Sequence, residues 1–264
     1  MPDPSSSLED WLSAAVSSHD RLAAVVGSLT TDEIAGPSYD DDWTIAQVLS
    51  HLGSGAEIFS LLLAAGLEGK PAPEMAAFQE VWDRWNAKSS DAQASDGLAA
   101  DKAFLDQVRG LDQAARNDWR LDFFGGQQRL ADLLRLRLGE HAVHTWDVEV
   151  IGDPTATVAG EAVTLLIDSL DQLVGRFPNP LDRTVVVELG TSTPDRRFVL
   201  TADANGMTLA DADDSRPEAG FVALQLPSEA AIRLVYGRLD PHHTPEVDGE
   251  ASDLDTLRLL FPGF

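Results

Sequence analysis

The spacing of apolar residues changes once along this chain, near residue 152, and that change limits the possible fold more than any other feature. Before it, apolar side chains recur at helical intervals; after it, short β-branched runs alternate as half-buried strands do. In the first part Leu8, Trp11, Leu12, Ala15, Val16, His19, Leu22 and Val26 follow Ser7, a residue suited to capping a helix. A second helix is expected from Thr44, which pairs with Gln47 in the form of a capping box, to about Gly66. Between Pro73 and Trp119 the pattern predicts a helix around Phe78, Trp82 and Trp85, a polar break, and a helix through Phe104, Leu105, Val108 and Leu111. The proline-free run from Gln128 to Val150 supplies the fourth long helix. Residues 1–152 are therefore expected to form a four-helix bundle.

Residues 153–264 read as a small α+β domain. One helix is expected from Gly160 to about Phe177, with strands at 183–189, 197–201 and 221–226. Asn205-Gly206 signals a hairpin into a strand at 207–210. Pro227-Ser228 opens a helix that should stop at Gly237, and a last short helix covers 252–260.

Charge and composition remove several classes of function. With 264 residues, 44% of them hydrophobic, the chain can bury a sizeable core. Its net charge of −25 opposes binding to nucleic acid and to anionic membrane surfaces. The acidic start lacks the pattern of a signal peptide, and no run of about 18 apolar residues occurs, so a cytoplasmic location is expected. Cysteine is absent, which excludes disulfides, thiolate metal ligands and a cysteine nucleophile.

Glu140 and His144 stand four residues apart in a predicted helix and so share one face. His51 lies on the shoulder of a helix that buries Ile45, Val48, Leu49 and Leu52. Two imidazoles and a carboxylate from two helices would bind a divalent ion and leave positions open, as catalytic zinc sites do. The same residues also have ordinary uses: a surface ion pair for Glu140 and His144, and a hydrogen-bonded histidine for His51, as for His19 and His141. His242 and His243, beside Pro241, read as an exposed loop. Asp147 is placed either to orient His144 or to balance Arg135 or Arg137. Asp40, Asp41 and Asp42 favour the positive end of the helix that follows. Gly125-Gly126 lacks the context of a phosphate-binding loop.

Trp43-Thr44, Val48-Leu49 and His51-Leu52, taken with Glu140 and His144-Thr-Trp146-Asp147, resemble the mycothiol-dependent maleylpyruvate isomerase family. These proteins are actinobacterial relatives of the DinB-like helical bundles. The resemblance runs through the chain in order, with the metal motif in the bundle and a C-terminal region similar to a sterol-carrier-like α+β module. It implies His51, Glu140 and His144 as metal ligands, zinc as the ion and mycothiol as a thiol cosubstrate. A His-Glu-His set also accepts other divalent metals. The resemblance further implies Arg238, in Leu-Val-Tyr-Gly-Arg-Leu, as a functional arginine suited to a substrate carboxylate. An arginine there also has a simpler use, since it follows a helix C-terminus and complements the last carbonyls. The activity implied is S-transfer to, or cis–trans isomerisation of, a small electrophilic substrate by a metal-activated thiolate. Two other classes fit the sequence: a non-enzymatic carrier of an apolar ligand, and a metal-dependent hydrolase. Both a monomer and a homodimer are compatible with the chain.

Overall fold

The computed structural model describes residues 6–40, 42–174, 183–212 and 222–263. Two compact units divide after Ala156. The first is helical. Helix α1 (Leu8–Ser28) starts at Ser7, whose hydroxyl accepts from the Asp10 amide while the Asp10 carboxylate returns to the Ser7 amide. A one-turn helix α2 (Thr31–Ile34) leads to α3 (Ile45–Leu67), capped by the expected Thr44 and Gln47 box. The predicted break after Trp85 separates α4 (Met75–Asn86) from α5 (Ser90–Gly110), and a short α6 (Gln113–Asp118) follows. Helix α7 (Leu130–Gly152) closes the unit.

The four long helices pack in a ring, α1 against α5 and α7, and α3 against the same two. Leu22 and Val26 of α1 meet Ile45, Val48, Leu49 and Leu52 of α3 together with Ala94 and Val148 in one core cluster. Side chains as small as glycine set the approach of α3 to α5. A Cβ on Gly97 would stand 2.5 Å from the Leu49 carbonyl oxygen, and one on Gly53 would stand 2.8 Å from Gly97 Cα and 2.4 Å from the Trp85 ring of α4. Helix α3 has a mean hydropathy of 1.4 over its most apolar window, but 61% of that window is buried, which makes it the bundle's core helix.

The pattern of the sequence does not signal the short helices α2 and α6, nor a hairpin before α7. Strands β1 (Arg120–Phe123) and β2 (Gly126–Arg129) form an antiparallel hairpin just before α7. Its turn places both Phe124 (φ 51°) and Gly125 (φ 77°) in the left-handed region, the geometry of the tight turns that suit β-hairpins.

In the second unit, β3 (Val185–Ser192), β4 (Arg196–Asp203), β5 (Gly206–Asp211) and β6 (Val222–Pro227) form one sheet in the order β5-β4-β3-β6. Neighbours are antiparallel except β3 and β6, which run parallel. Val187, Leu189, Phe198, Leu200, Leu209, Leu224 and Leu226 are buried. The expected helix from Gly160 is interrupted: α8 (Gly160–Leu166) tightens into a 3-10 turn at Ile167–Ser169, then α9 (Leu170–Val174). Ser169 Oγ donates to the Leu166 carbonyl at that turn, and Asp168 is held by Arg196 of β4. The expected end near Phe177 lies outside the described residues, as do Asp41 and Phe221. Helix α10 (Ser228–Val235) stops before Gly237, whose φ of 72° suits glycine, and α11 (Ala251–Leu260) is the predicted last helix.

Candidate metal centre

Helices α3 and α7 bring His51, Glu140 and His144 together. One ligand-capable atom from each lies within 4.8 Å of the others. His51 Nε2 is 3.2 Å from Glu140 Oε2, and His144 Nε2 is 3.8 Å from the same oxygen. The His51 and His144 rings meet edge to face at 4.7 Å between centroids. Trp43, in the loop before α3, covers both imidazoles, at 5.2 Å from His51 and nearly parallel to His144 at 6.2 Å. The His51 and Glu140 side chains each keep 36% of their surface open to solvent, so the cluster is not sealed.

Protonation in this cluster suits a cation. Burial pushes the His51 pKa down, and the nearby His144 and Arg137 add to that effect against the opposing pull of Glu140. Burial raises the Glu140 carboxyl, but the His51 hydrogen bond and the charges of His144, His51 and Arg137 outweigh it and bring its pKa to about 2. Near neutral pH the pair is therefore a neutral imidazole and a carboxylate. His144 is oriented by Asp147, which is fully buried with Oδ2 2.8 Å from Nδ1. With Nδ1–H donated to that carboxylate, the Nε2 lone pair faces Glu140 and His51. An imidazole tied to a carboxylate through one nitrogen, with the other left to bind, is the usual arrangement in metal sites. Of the two uses read for Asp147, the structure shows the contact with His144.

A second cluster, His19, Asp101 and His141, also gathers three ligand types, all buried. Its geometry is that of a hydrogen-bonded hub. Asp101 Oδ1 accepts from Arg137 Nε at 2.9 Å and Nη2 at 2.5 Å. Asp101 Oδ2 lies 2.8 Å from His19 Nδ1 and 3.1 Å from His141 Nε2, the latter too poorly aligned for a hydrogen bond. Against the cost of burial, Arg137 and His141, with His19, hold the Asp101 carboxyl well below the usual carboxylate range. The arginine already neutralises this carboxylate, so a divalent ion here would leave excess positive charge in a dry core. His19 and His141 are hydrogen-bonded core histidines, the ordinary use expected for them. Asp101 carries no such signal in the sequence, because its neighbours are 36 to 82 residues away.

Glu57, a further carboxylate of α3, and the candidates of the second unit have partners of their own. Glu57 accepts from Trp85 Nε1 at 2.9 Å and pairs with Arg84. Arg238, in the second unit, is 4% exposed, with Nη1 donating to the Tyr236 carbonyl at 3.0 Å. His242 is exposed as expected, whereas His243 is partly buried with Nδ1 2.7 Å from Asp240 Oδ2.

A helical bundle with a His-Glu-His cluster on two of its helices, followed by a small α+β unit, defines a candidate metalloprotein of bundle type. The profile of the family described as "Mycothiol maleylpyruvate isomerase N-terminal domain" matches residues 15–149, just over half of the chain, and the chain belongs to that family. Among solved structures, it is similar to a mycothiol-dependent maleylpyruvate isomerase, with a TM-score of 0.67 at 15% identity, covering 93% of this chain and 95% of that one. A histidine-to-alanine variant of the mycothiol-dependent maleylpyruvate isomerase matches with the same TM-score, identity and coverage. At that identity the likeness concerns the fold. A protein of Geobacillus thermodenitrificans (strain NG80-2), named for a metal-dependent hydrolase, is 34% identical over 88 residues, 33% of this chain and 47% of that relative. The chain thus spans about half the length of this curated relative.

Proposed function

We propose that His51, Glu140 and His144 hold a divalent metal ion, zinc in the first instance. On this reading the chain is a cytoplasmic enzyme that uses mycothiol in the isomerisation of, or S-transfer to, a small electrophile. The observation that carries the proposal is the convergence of three donor atoms within 4.8 Å, with His144 oriented by a fully buried aspartate, in a member of this family. A divalent ion bound there with open positions would favour the deprotonated form of a coordinated thiol, the nucleophilic form at neutral pH.

The residues divide the remaining work. Glu140 supplies the negative charge that offsets part of the ion's, and His51, neutral near pH 7, needs no deprotonation to bind. Asp147 holds His144 in one tautomer. Trp43 shields one side of both imidazoles from water, while the exposed surface of His51 and Glu140 leaves an approach for thiol and substrate. Arg238, buried with Nη1 on the Tyr236 carbonyl, is assigned on this reading to a substrate carboxylate, since a guanidinium offers paired donors. A KM for a carboxylate substrate that rises in Arg238→Lys is the expected result, and unchanged kcat and KM would remove this residue from the account.

The named hydrolase relative favours a second reading, in which the same open positions activate water. The apolar-carrier reading has less behind it: a groove of about 380 Å³ in the second unit mixes Glu188, Arg197, Gln225 and Asp248 with Ala223 and Leu224, and is not an apolar pocket. Turnover of maleylpyruvate that requires both added mycothiol and an intact Glu140 is the expected outcome. Cleavage of ester substrates without any thiol would replace the isomerase reading with the hydrolase one.

A further inference from the structure

The core hub lies one helical turn from the candidate metal centre, and Arg137 joins the two. Its guanidinium reaches three helices. Arg137 itself belongs to α7, three residues before Glu140 and seven before His144. Its Nε and Nη2 bind Asp101 Oδ1 on α5, and Nη2 also donates at 3.0 Å to the carbonyl of Leu52 on α3, the residue after His51. Gly55, one turn further along α3, makes room: a Cβ there would stand 3.1 Å from Arg137 Nη1. Asp101 Oδ2 adds His19 of α1 and His141 of α7, so one carboxylate ties together α1, α5 and α7 while its arginine ties in α3. Arg137 is 1% and Asp101 2% exposed. A buried ion pair of this kind contributes little net stability, because desolvation offsets the attraction. Its planar fork does fix direction, since only a guanidinium spans a carboxylate and a carbonyl on different helices in one plane.

We infer that Arg137, held by Asp101, is the positioning residue of the metal centre: it sets the spacing of α3 and α7 and thereby the distance of His51 from Glu140 and His144. The inference rests on the proposed metal site and goes beyond it, because it assigns a role to residues that do not touch the ion. It also opposes simple electrostatics. A cation near the site repels divalent metal, so an arginine that acted only through its charge would weaken binding, and its removal would tighten it. An arginine that positions the ligands has the opposite signature.

The test is metal affinity, read with zinc and with cobalt(II) in competition with a chromophoric chelator, for the wild type, Arg137→Met, Arg137→Lys and Asp101→Asn. Val108→Ala serves as control, a fully buried α5 position outside the hub whose truncation costs stability alone. The expected result is about 10–100-fold weaker binding in all three hub variants, Arg137→Lys included despite its retained charge, with the control unchanged. The visible spectrum of the cobalt form should change in the same three. Equal or tighter binding in Arg137→Lys and Asp101→Asn would overturn the inference, even if Arg137→Met failed to fold. A wild type that binds neither metal would instead overturn the metal site itself.

Discussion

Asp147 has no exposed surface, and its Oδ2 sits 2.8 Å from His144 Nδ1. Its value to the site is orientation: without a full carboxylate acceptor, His144 samples a second tautomer and a wider range of ring angles. Asp147→Asn should weaken zinc binding about tenfold while leaving the circular dichroism spectrum unchanged, and equal affinity would show that the imidazole needs no such support. Asp101 makes a different prediction, one about pH. Its folded pKa lies well below the usual value of 3.8, so the unfolded chain binds an extra proton between the two values. Its stabilising contribution is complete above about pH 4 and is lost as pH falls toward the folded pKa, at up to about 1.4 kcal/mol per pH unit. The unfolding free energy from denaturant melts should therefore fall between pH 4 and pH 2 in wild type and fall less in Asp101→Asn; parallel curves of free energy against pH would contradict this. That His51, Glu140 and His144 could meet was legible in the sequence, because two share a helix face and the third marks the shoulder of an apolar stripe. The hub was not legible, since Asp101 reads as one more acidic residue of an exposed helix until α1 and α7 are packed against it.

Among the elements, the helices whose ends carry capping chemistry were the readable ones. Thr44 with Gln47 marks the start of α3, and Gly237 marks the stop after α10, because each satisfies or releases backbone groups locally. The β1–β2 hairpin escaped notice because Phe124-Gly125 is not the usual Asn-Gly turn, and Leu121 is its single buried strand residue. The break between α8 and α9 carries Asp168, which pairs with Arg196 of β4, a contact 28 residues distant that local sequence cannot reveal. The α3 and α5 contact at Gly97 and Leu49 allows a sharper test. Gly97→Ala is favoured by helix propensity yet places its methyl group 2.5 Å from a carbonyl oxygen. A net loss of about 1–3 kcal/mol in denaturant unfolding is expected, and a gain would mean that the two helices separate at little cost.

For the molecule as a whole, the charge of −25 should be visible in its salt response. Self-repulsion weakens the compact state, and raising salt from 0.01 M to 0.1 M shortens the screening length from roughly 30 Å to 10 Å. Tm should rise over that range, and a falling Tm would mean that ion pairs outweigh the repulsion. The division into a bundle and an α+β unit was written in the change of apolar period, because periods of 3.6 and 2 are imposed by which face is buried. The central claim is that His51, Glu140 and His144 hold a metal ion. Elemental analysis of untagged protein, beside His51→Ala and Glu140→Ala, tests it most directly. The account predicts about one divalent ion per wild-type chain, lost in both variants. A wild type that carries no metal and takes up none from added zinc would contradict it.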